Sequence, residues 1–153
     1  MWKQISDWLR QISNTWIALS GLVVFLLFSA LVLPSQSARA ETYAGRVGSP
    51  DMSLLYLPED LYETAEAYGE EGRTAYVRSR FTFDIIWPLV YTLFLSTAIS
   101  WVLARVFAVR SLWQMANLVP LLGAFSDYLE NVSTSIVMLR YPSQTAVLDV
   151  LAP

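Results

Sequence analysis

Neither cysteine nor histidine occurs in the 153 residues. Without cysteine there is no disulfide, no thiolate nucleophile and no thiolate-held zinc or iron–sulfur cluster. Without histidine the chain lacks the side chain that titrates near neutral pH and the commonest ligand of haem and transition metals. Any acid–base or nucleophilic chemistry falls to Asp, Glu, Ser, Tyr, Lys or Arg. An ordinary Ser-His-Asp triad is excluded, and no serine stands in a nucleophile-elbow pattern. Any metal would be a hard cation, Mg²⁺ or Ca²⁺, on oxygen ligands. Gly45, Gly48, Gly69 and Gly72 form no phosphate-binding loop, and no cofactor is implied.

Charge is also scarce. Charged residues make up 15% of the chain, against roughly 25% in an average soluble protein. Hydrophobic residues make up 55% and aromatics 14%, and the mean hydropathy is +0.43. The net charge of −3 is unevenly spread, with eight of the 13 acids between Glu41 and Glu71. No basic patch stands out, so nucleic acid is not an expected partner. The length suits one domain, and the composition points to a single membrane domain whose first partner is the lipid bilayer.

Three segments are read as spans, at about 16–33, 81–104 and 112–139. The first, WIALSGLVVFLLFSALVL, holds eighteen residues without a charge and covers about 27 Å as a helix, near the roughly 30 Å of bilayer hydrocarbon. Before it, Trp2, Ile5, Trp8, Leu9 and Ile12 recur at helical spacing. They suit either an amphipathic helix in the membrane interface or an extension of the span itself. A cleaved signal peptide is the rival reading, since Lys3 and Arg10 are basic and Ala38-Arg39-Ala40 resembles a cleavage site. The apolar run exceeds the usual 7–15 residues, so the segment is expected to be retained. The second span carries Pro88, which membrane helices tolerate with a kink.

Between the first two spans, residues 34–80 form the one sizeable non-membrane part. PSQSARAETYAGRVGSPDMS is rich in Ser, Gly and Pro and reads as loop. LPEDLYETAEAYG then reads as a short helix with Pro58 at its first position, acids in its first turn and Gly69 as its C-cap. Leu57, Leu61, Ala65 and Tyr68 share one of its faces, which would rest on the membrane or on the other helices. A new helix is expected from Gly72 into the second span. After the third span, Arg140-Tyr-Pro142 is a stop. Ser143 onward begins an apolar pattern too short to span, either a short docking segment or a truncated fourth helix.

The turn between spans two and three carries Arg105 and Arg110 and no acid, and the N-terminus carries Lys3 and Arg10 against one Asp. The positive-inside rule then puts both on the cytoplasmic side of the cytoplasmic (inner) membrane, and the acidic loop outside. Arg73, Arg78 and Arg80 oppose this orientation.

The third span contains GAFSDYLENVST, where Asp127, Glu130 and Asn131 fall within five residues. Asn117, Pro120, Ala124, Asp127, Glu130/Asn131 and Thr134 recur at three- and four-residue steps and share one helix face. Leu118, Leu122, Phe125, Leu129, Val132 and Ile136 form the other. An aspartate at mid-membrane costs about 2.5–3.5 kcal/mol, so such residues turn inward. On span two, Asp84, Pro88 and Tyr91 form a matching stripe. Arg80 lies one turn outward, and Asp84 beside it may be read as wet. Two interpretations stay open. The polar groups are helix–helix hydrogen-bonding contacts, among them Tyr91 to Glu130 or Asn131, at roughly 0.6 kcal/mol each. Alternatively, Asp84, Asp127 and Glu130 hold a proton, an ion or a metal. Asn131-Val-Ser133 matches a glycosylation sequon, but inside a span it is coincidence.

AYGEEGRTAYV, FDIIWPLVY and VPLLGAFSDYLENVSTSIVMLRYP together resemble a loosely defined family of small uncharacterised bacterial four-helix integral membrane proteins. The resemblance covers residues 67–142. It implies a last helix beyond the third span and brings neither an activity nor a site residue. The sequence thus predicts an all-α integral membrane bundle with a short interfacial helix in its outer loop. The expected role is non-enzymatic: a structural, accessory or assembly subunit, as a homo-oligomer or within a larger membrane complex. The alternatives are a membrane enzyme acting on a lipid or phosphate ester through a hard-cation carboxylate site, and a small proton-coupled transporter.

Overall fold

The computed structural model describes residues 1–44 and 58–144. It is helical throughout those residues, with no strand among them. The helices are α1 (Trp2–Ile12), α2 (Thr15–Leu31), α3 (Leu33–Ala44), α4 (Pro58–Arg80), α5 (Phe83–Val106) and α6 (Val119–Arg140), with a 3₁₀ segment, Leu112–Leu118, ahead of α6. Two helical stretches, Thr15–Tyr43 and Glu59–Val106, are long and apolar enough to cross a membrane. At 22 residues α6 is long enough, but it is not apolar enough to count with them.

Several boundaries differ from the sequence expectation, each for a local reason. The N-terminal segment is a helix of its own rather than an extension of α2. It ends at Ser13, and the Asn14 side chain accepts hydrogen bonds from the backbone N–H groups of Trp16 and Ile17, at 2.9 and 3.0 Å. Such a cap fixes a new helix start. Residues 34–44, expected as loop, are helical in α3. Pro34 stands in its first turn, where a proline costs no hydrogen bond, and Ala38, Ala40 and Ala44 favour the helix that follows. Gly69 does break α4, with φ 62° and ψ −175°, but the helix resumes at once rather than at Gly72. The interruption before α5 comes instead at 81–82, where Thr82 N–H turns back to the Ser79 carbonyl at 3.1 Å. The third expected span is not one helix, because residues 112–118 wind as 3₁₀. The possible fourth segment falls on residues 145–153, outside the described residues, as does Leu57.

The chain divides into two compact units. One comprises Met1–Val32 and Ile86–Phe125, the other Leu33–Ile85 and Ser126–Pro153. In the first, bulky apolar side chains point outward: Ile17, Leu19, Val23, Val24, Leu26 and Leu27 on α2, Leu89, Leu93 and Val102 on α5, Leu122 and Phe125 on α6. The inner faces carry Ala18, Gly21, Pro88, Thr92, Ser96, Thr97 and Ser100. A Cβ at Gly21 would lie 3.3 Å from the Phe94 Cα, so the missing side chain lets α2 and α5 approach closely. Phe25 stacks on Phe94 and Trp87, with centroids 5.0 and 5.6 Å apart.

The second unit has a conventional core. Leu61, Ala65, Tyr68 and Tyr76 of α4 meet Val137 and Met138 of α6, so three of the four residues assigned to the apolar face of the short helix are buried together. Tyr43 of α3 packs edge-on to Tyr68 at 5.3 Å. Outward, α4 presents Glu63, Glu66, Glu70 and Glu71.

The backbone at Gly69 lies in a region open almost solely to glycine. A Cβ there would meet nothing within 4 Å, so any cost of Gly69→Ala is one of backbone conformation alone. We expect that substitution to destabilise the chain by about 1–3 kcal/mol, read as a lowered midpoint of thermal unfolding in detergent. An unchanged midpoint would show that the turn of the backbone at 69 is dispensable.

Candidate functional site

Among the described residues of the second unit, the buried charged side chain is Arg80, where α4 ends and α5 begins. Arg80 is the last residue of α4 and Asp84 lies in the first turn of α5. A cation at a helix C-terminus and an anion at a helix N-terminus are each favoured by the helix dipoles. Arg80 Nη1 donates to Asp84 Oδ2 at 2.7 Å, and the two side chains are only 9% and 13% exposed. The expectation that Asp84 is wet is therefore corrected: the turn at 81–82 folds the start of α5 back over Arg80.

Three further groups surround the pair. Arg80 Nη2 donates to the Tyr76 hydroxyl at 2.8 Å, and the guanidinium carbon lies 4.4 Å from the centre of the Tyr76 ring. Arg80 Nη1 also reaches Asn131 Oδ1 of α6 at 3.4 Å, and Asn131 Nδ2 donates to the Asp84 carbonyl at 3.4 Å. One helical turn earlier on α6, the Tyr128 hydroxyl donates to the Ile85 carbonyl at 2.8 Å. Because Asn131 both accepts and donates, it ties α6 to α4 and to the opening of α5 together.

Of the residues singled out in the sequence, Asp84 and Asn131 are thus brought together, with Arg80 and Tyr76 completing the cluster. Thr134 is buried, but its hydroxyl folds back on α6, donating to the Glu130 carbonyl at 2.9 Å and the Asn131 carbonyl at 3.3 Å. It makes no bridge to another helix in those bonds. Asp127 and Glu130 are half-buried on α6. Among the described residues no group of three or more acidic side chains is arranged to hold a metal ion. Asp84 is instead spoken for by Arg80.

The remaining two belong to the first unit. Tyr91 lies edge-on to Trp87 at 5.9 Å. Asn117 is fully buried in the 3₁₀ segment, and its amide donates to the Ser6 carbonyl of α1 at 3.0 Å and to Ser100 Oγ of α5 at 2.9 Å. Around it, Ser6 Oγ donates to the Gln114 carbonyl at 3.1 Å, and the Gln114 amide caps α5 through the carbonyls of Leu103 and Phe107, at 3.1 and 3.0 Å. Leu118 is buried rather than outward. The 3₁₀ segment advances 120° per residue instead of 100°, so a pattern phased on an α-helix misplaces it.

Ser6, Gln114 and Tyr76, and the row Thr92, Ser96, Ser100, were not picked out by sequence reasoning, and Arg80 was placed only as a neighbour of Asp84. A signal for the row exists. Pro88, Thr92, Ser96 and Ser100 repeat every four residues within an otherwise apolar segment, the small-residue spacing of close helix contacts. Ser6 and Gln114 carry no such signal, since their partners are backbone groups more than a hundred residues away in one case and in the preceding turn in the other.

Chemically, the Arg80 cluster is an ion pair surrounded by hydrogen bonds through both Nη groups of Arg80, with Nε buried and making none. The Asp84 carboxylate is paired with the Arg80 guanidinium at 2.7 Å, and the chain has no histidine or cysteine. The arrangement suits holding three helix segments in register better than a proton or group transfer. No family model matches the chain, and neither a curated protein nor a solved structure does.

Removing one partner from a buried ion pair strands the other and costs about 3–5 kcal/mol. Arg80→Met should therefore lower the unfolding midpoint in detergent sharply. The double variant Arg80→Met/Asp84→Leu should lower it less than Arg80→Met alone, since no charge is left unpaired. Additive losses would show that the two side chains do not depend on each other.

Proposed function

We propose that this chain is a small integral membrane protein of structural, accessory or assembly type, inserted through α2, α5 and α6. The observation that carries the reading is the inverted first unit. Its helices turn Ser, Thr, Gly and Asn toward one another and Leu, Val, Ile and Phe outward. In water, outward leucines, valines and phenylalanines on neighbouring helices would be unusual for a monomer. In lipid it is the expected arrangement, since acyl chains match leucine and helix contacts rest on small and hydrogen-bonding residues. α5, at 24 residues, is about 36 Å long and α2 about 26 Å, either side of the roughly 30 Å needed.

α6 enters this reading as a third, less apolar span. Its hydrogen-bonding side chains, Asn131, Ser133, Thr134 and Ser135, lie on the buried side, while Leu129 and Val132 are exposed. α3 and α4, with their acids outward, suit water on the extracytoplasmic side. The N-terminus and the turn at 107–111 suit the cytoplasmic side by their bases. A role without catalysis fits a buried cluster whose charge is matched within the fold, and outward apolar surfaces on several helices suit a second copy or a larger membrane assembly.

Single cysteines can be introduced cleanly into a chain that has none. With an impermeant thiol reagent on intact cells, we expect Glu66→Cys to react, Arg110→Cys to react only after permeabilisation, and Leu26→Cys not to react. Reaction of Leu26→Cys from water would defeat the membrane reading, and reaction of Arg110→Cys in intact cells would invert the orientation.

Asp127 separates the structural role from a proton or ion site. Asp127→Asn keeps a hydrogen-bonding group and should retain fold and association, measured by thermal unfolding and by size in detergent. Asp127→Leu should weaken both. A folded, correctly assembled Asp127→Asn variant that fails to support growth would move the assignment to transport.

A further inference from the structure

Tryptophans and bases converge at one end of the first unit, and this convergence has no part in the Arg80 cluster. α1 is fastened by its middle: Ser6 is buried against the 3₁₀ segment through the bonds to Gln114 and Asn117. Arg10 then ties the end of α1 to the turn after α5, donating to the Val109 carbonyl at 3.1 Å while pairing with Asp7 at 2.9 Å. With the serine side used in this way, Trp2 and Trp8 are left 56% and 57% exposed. Trp113 of the 3₁₀ segment is 67% exposed and Trp16, at the start of α2, 77%.

The charge around these indoles is of one sign. Residues 1–16 and 105–113 hold four bases, Lys3, Arg10, Arg105 and Arg110, and one acid, Asp7. Since Asp7 is engaged by Arg10, the outward charge is that of Lys3, Arg105 and Arg110. Arg105 is held over the Trp101 ring at 3.9 Å, and the Trp101 indole N–H donates to Thr15 Oγ1 at 3.0 Å. Arg105 is therefore mounted on a fixed support where α2 begins and α5 ends. The exposed apolar surface of α2 starts immediately beside it, at Ile17 and Leu19.

From these observations, and resting on the membrane reading above, we propose that α1, the 3₁₀ segment and the turn at 107–111 form a platform that docks on anionic phospholipid headgroups of one leaflet. Indoles prefer headgroup depth, and an amphipathic helix with tryptophans on one side and bases beside them lies in that plane. The headgroup phosphates of an anionic leaflet supply the negative charge that Lys3, Arg105 and Arg110 face. Continuity with the outward apolar face of α2 sets the platform at the hydrocarbon boundary, which favours lipid over an acidic protein as occupant.

The test uses the full chain reconstituted in vesicles of phosphatidylcholine alone and of an equimolar mixture with phosphatidylglycerol. A fluorophore is attached to Gln4→Cys on α1 in one protein and to Leu26→Cys on α2 in another, and quenching by acrylamide, a neutral aqueous quencher, is measured. The Leu26 label should be protected in both lipids. The Gln4 label should be better protected in the anionic vesicles, with the gain lost at high salt. Lys3→Gln/Arg110→Gln should weaken docking by about five-fold for each base removed. Equal protection of the Gln4 label in both lipids, or a gain that survives the double substitution, overturns the proposal while leaving the membrane reading intact. Protection that rises with protein-to-lipid ratio rather than with anionic lipid assigns the surface to a second copy of the chain, and also overturns it. A Leu26 label open to acrylamide defeats the membrane reading and the proposal together.

Discussion

Helices that touch through small, hydrogen-bonding side chains can approach closely only where those side chains find partners across or along the contact. In the first unit that condition is met at several inward positions, though Ser96 Oγ, Gln114 Oε1 and Asn117 Oδ1 are buried without a hydrogen-bond partner. Gly21 removes the side chain that would strike Phe94. Thr97 bonds back to the Leu93 and Phe94 carbonyls of its own helix, and Thr92 donates to the Pro120 carbonyl at 3.3 Å. Pro88 lacks the N–H that would bond the Asp84 carbonyl one turn earlier, and Asn131 Nδ2 donates to that carbonyl instead at 3.4 Å. With the contact surfaces so occupied, leucine, valine and phenylalanine remain for the outside. The inversion follows from the contacts rather than from an overall bias toward apolar residues.

The second unit solves a different problem. It must join a helix with an acidic outer face to one with an apolar outer face within two residues, Phe81 and Thr82. Arg80 and Asp84 sit on either side of that junction, and each occupies the helix terminus whose dipole favours its charge. Their attraction alone would not justify burial, since desolvating two charges is expensive and replacement by apolar residues is often neutral. What the pair adds is direction. Tyr76, Asn131 and the Asp84 carbonyl take up donors and acceptors in one arrangement, which sets Asn131 of α6 against the end of α4 and the first turn of α5. A purely apolar junction would hold as firmly and specify less.

Much of this was legible in the chain. The apolar runs announced α2 and α5, Pro58 and Gly69 bracketed the first part of α4, and of the recurring Asn117, Pro120, Ala124, Asp127, Glu130/Asn131 and Thr134 all are buried except Asp127 and Glu130, which are half-buried. The failures have physical causes. Residues 34–44 read as loop because Ser and Pro were weighed as breakers, although proline in a first turn and alanines after it favour helix. Leu118 was misplaced because a 3₁₀ turn shifts the phase of everything that precedes α6. Asp84 was taken as wet because its pairing depends on a turn at 81–82 that carries neither glycine nor proline. Ser6 and Gln114 were invisible because side chains that bond to backbone carbonyls, far away for Ser6 and in the preceding turn for Gln114, leave no periodic trace.

The distribution of partners bears on function as well as on fold. A reaction centre holds groups whose bonding is completed by substrate, and perturbed, unmatched charge is its usual mark. Here the buried charge of Arg80 is answered by Asp84 within the same few residues, and the amides of Gln114 and Asn117 donate to backbone carbonyls and a serine, which are structural acceptors. The groups that face outward are of a different kind: indoles and bases at one end of the first unit, and aliphatic side chains along its helices. On the proposed membrane reading, these outward groups are the ones suited to contact with a bilayer. That is why the surfaces, and not the buried cluster, carry the functional argument.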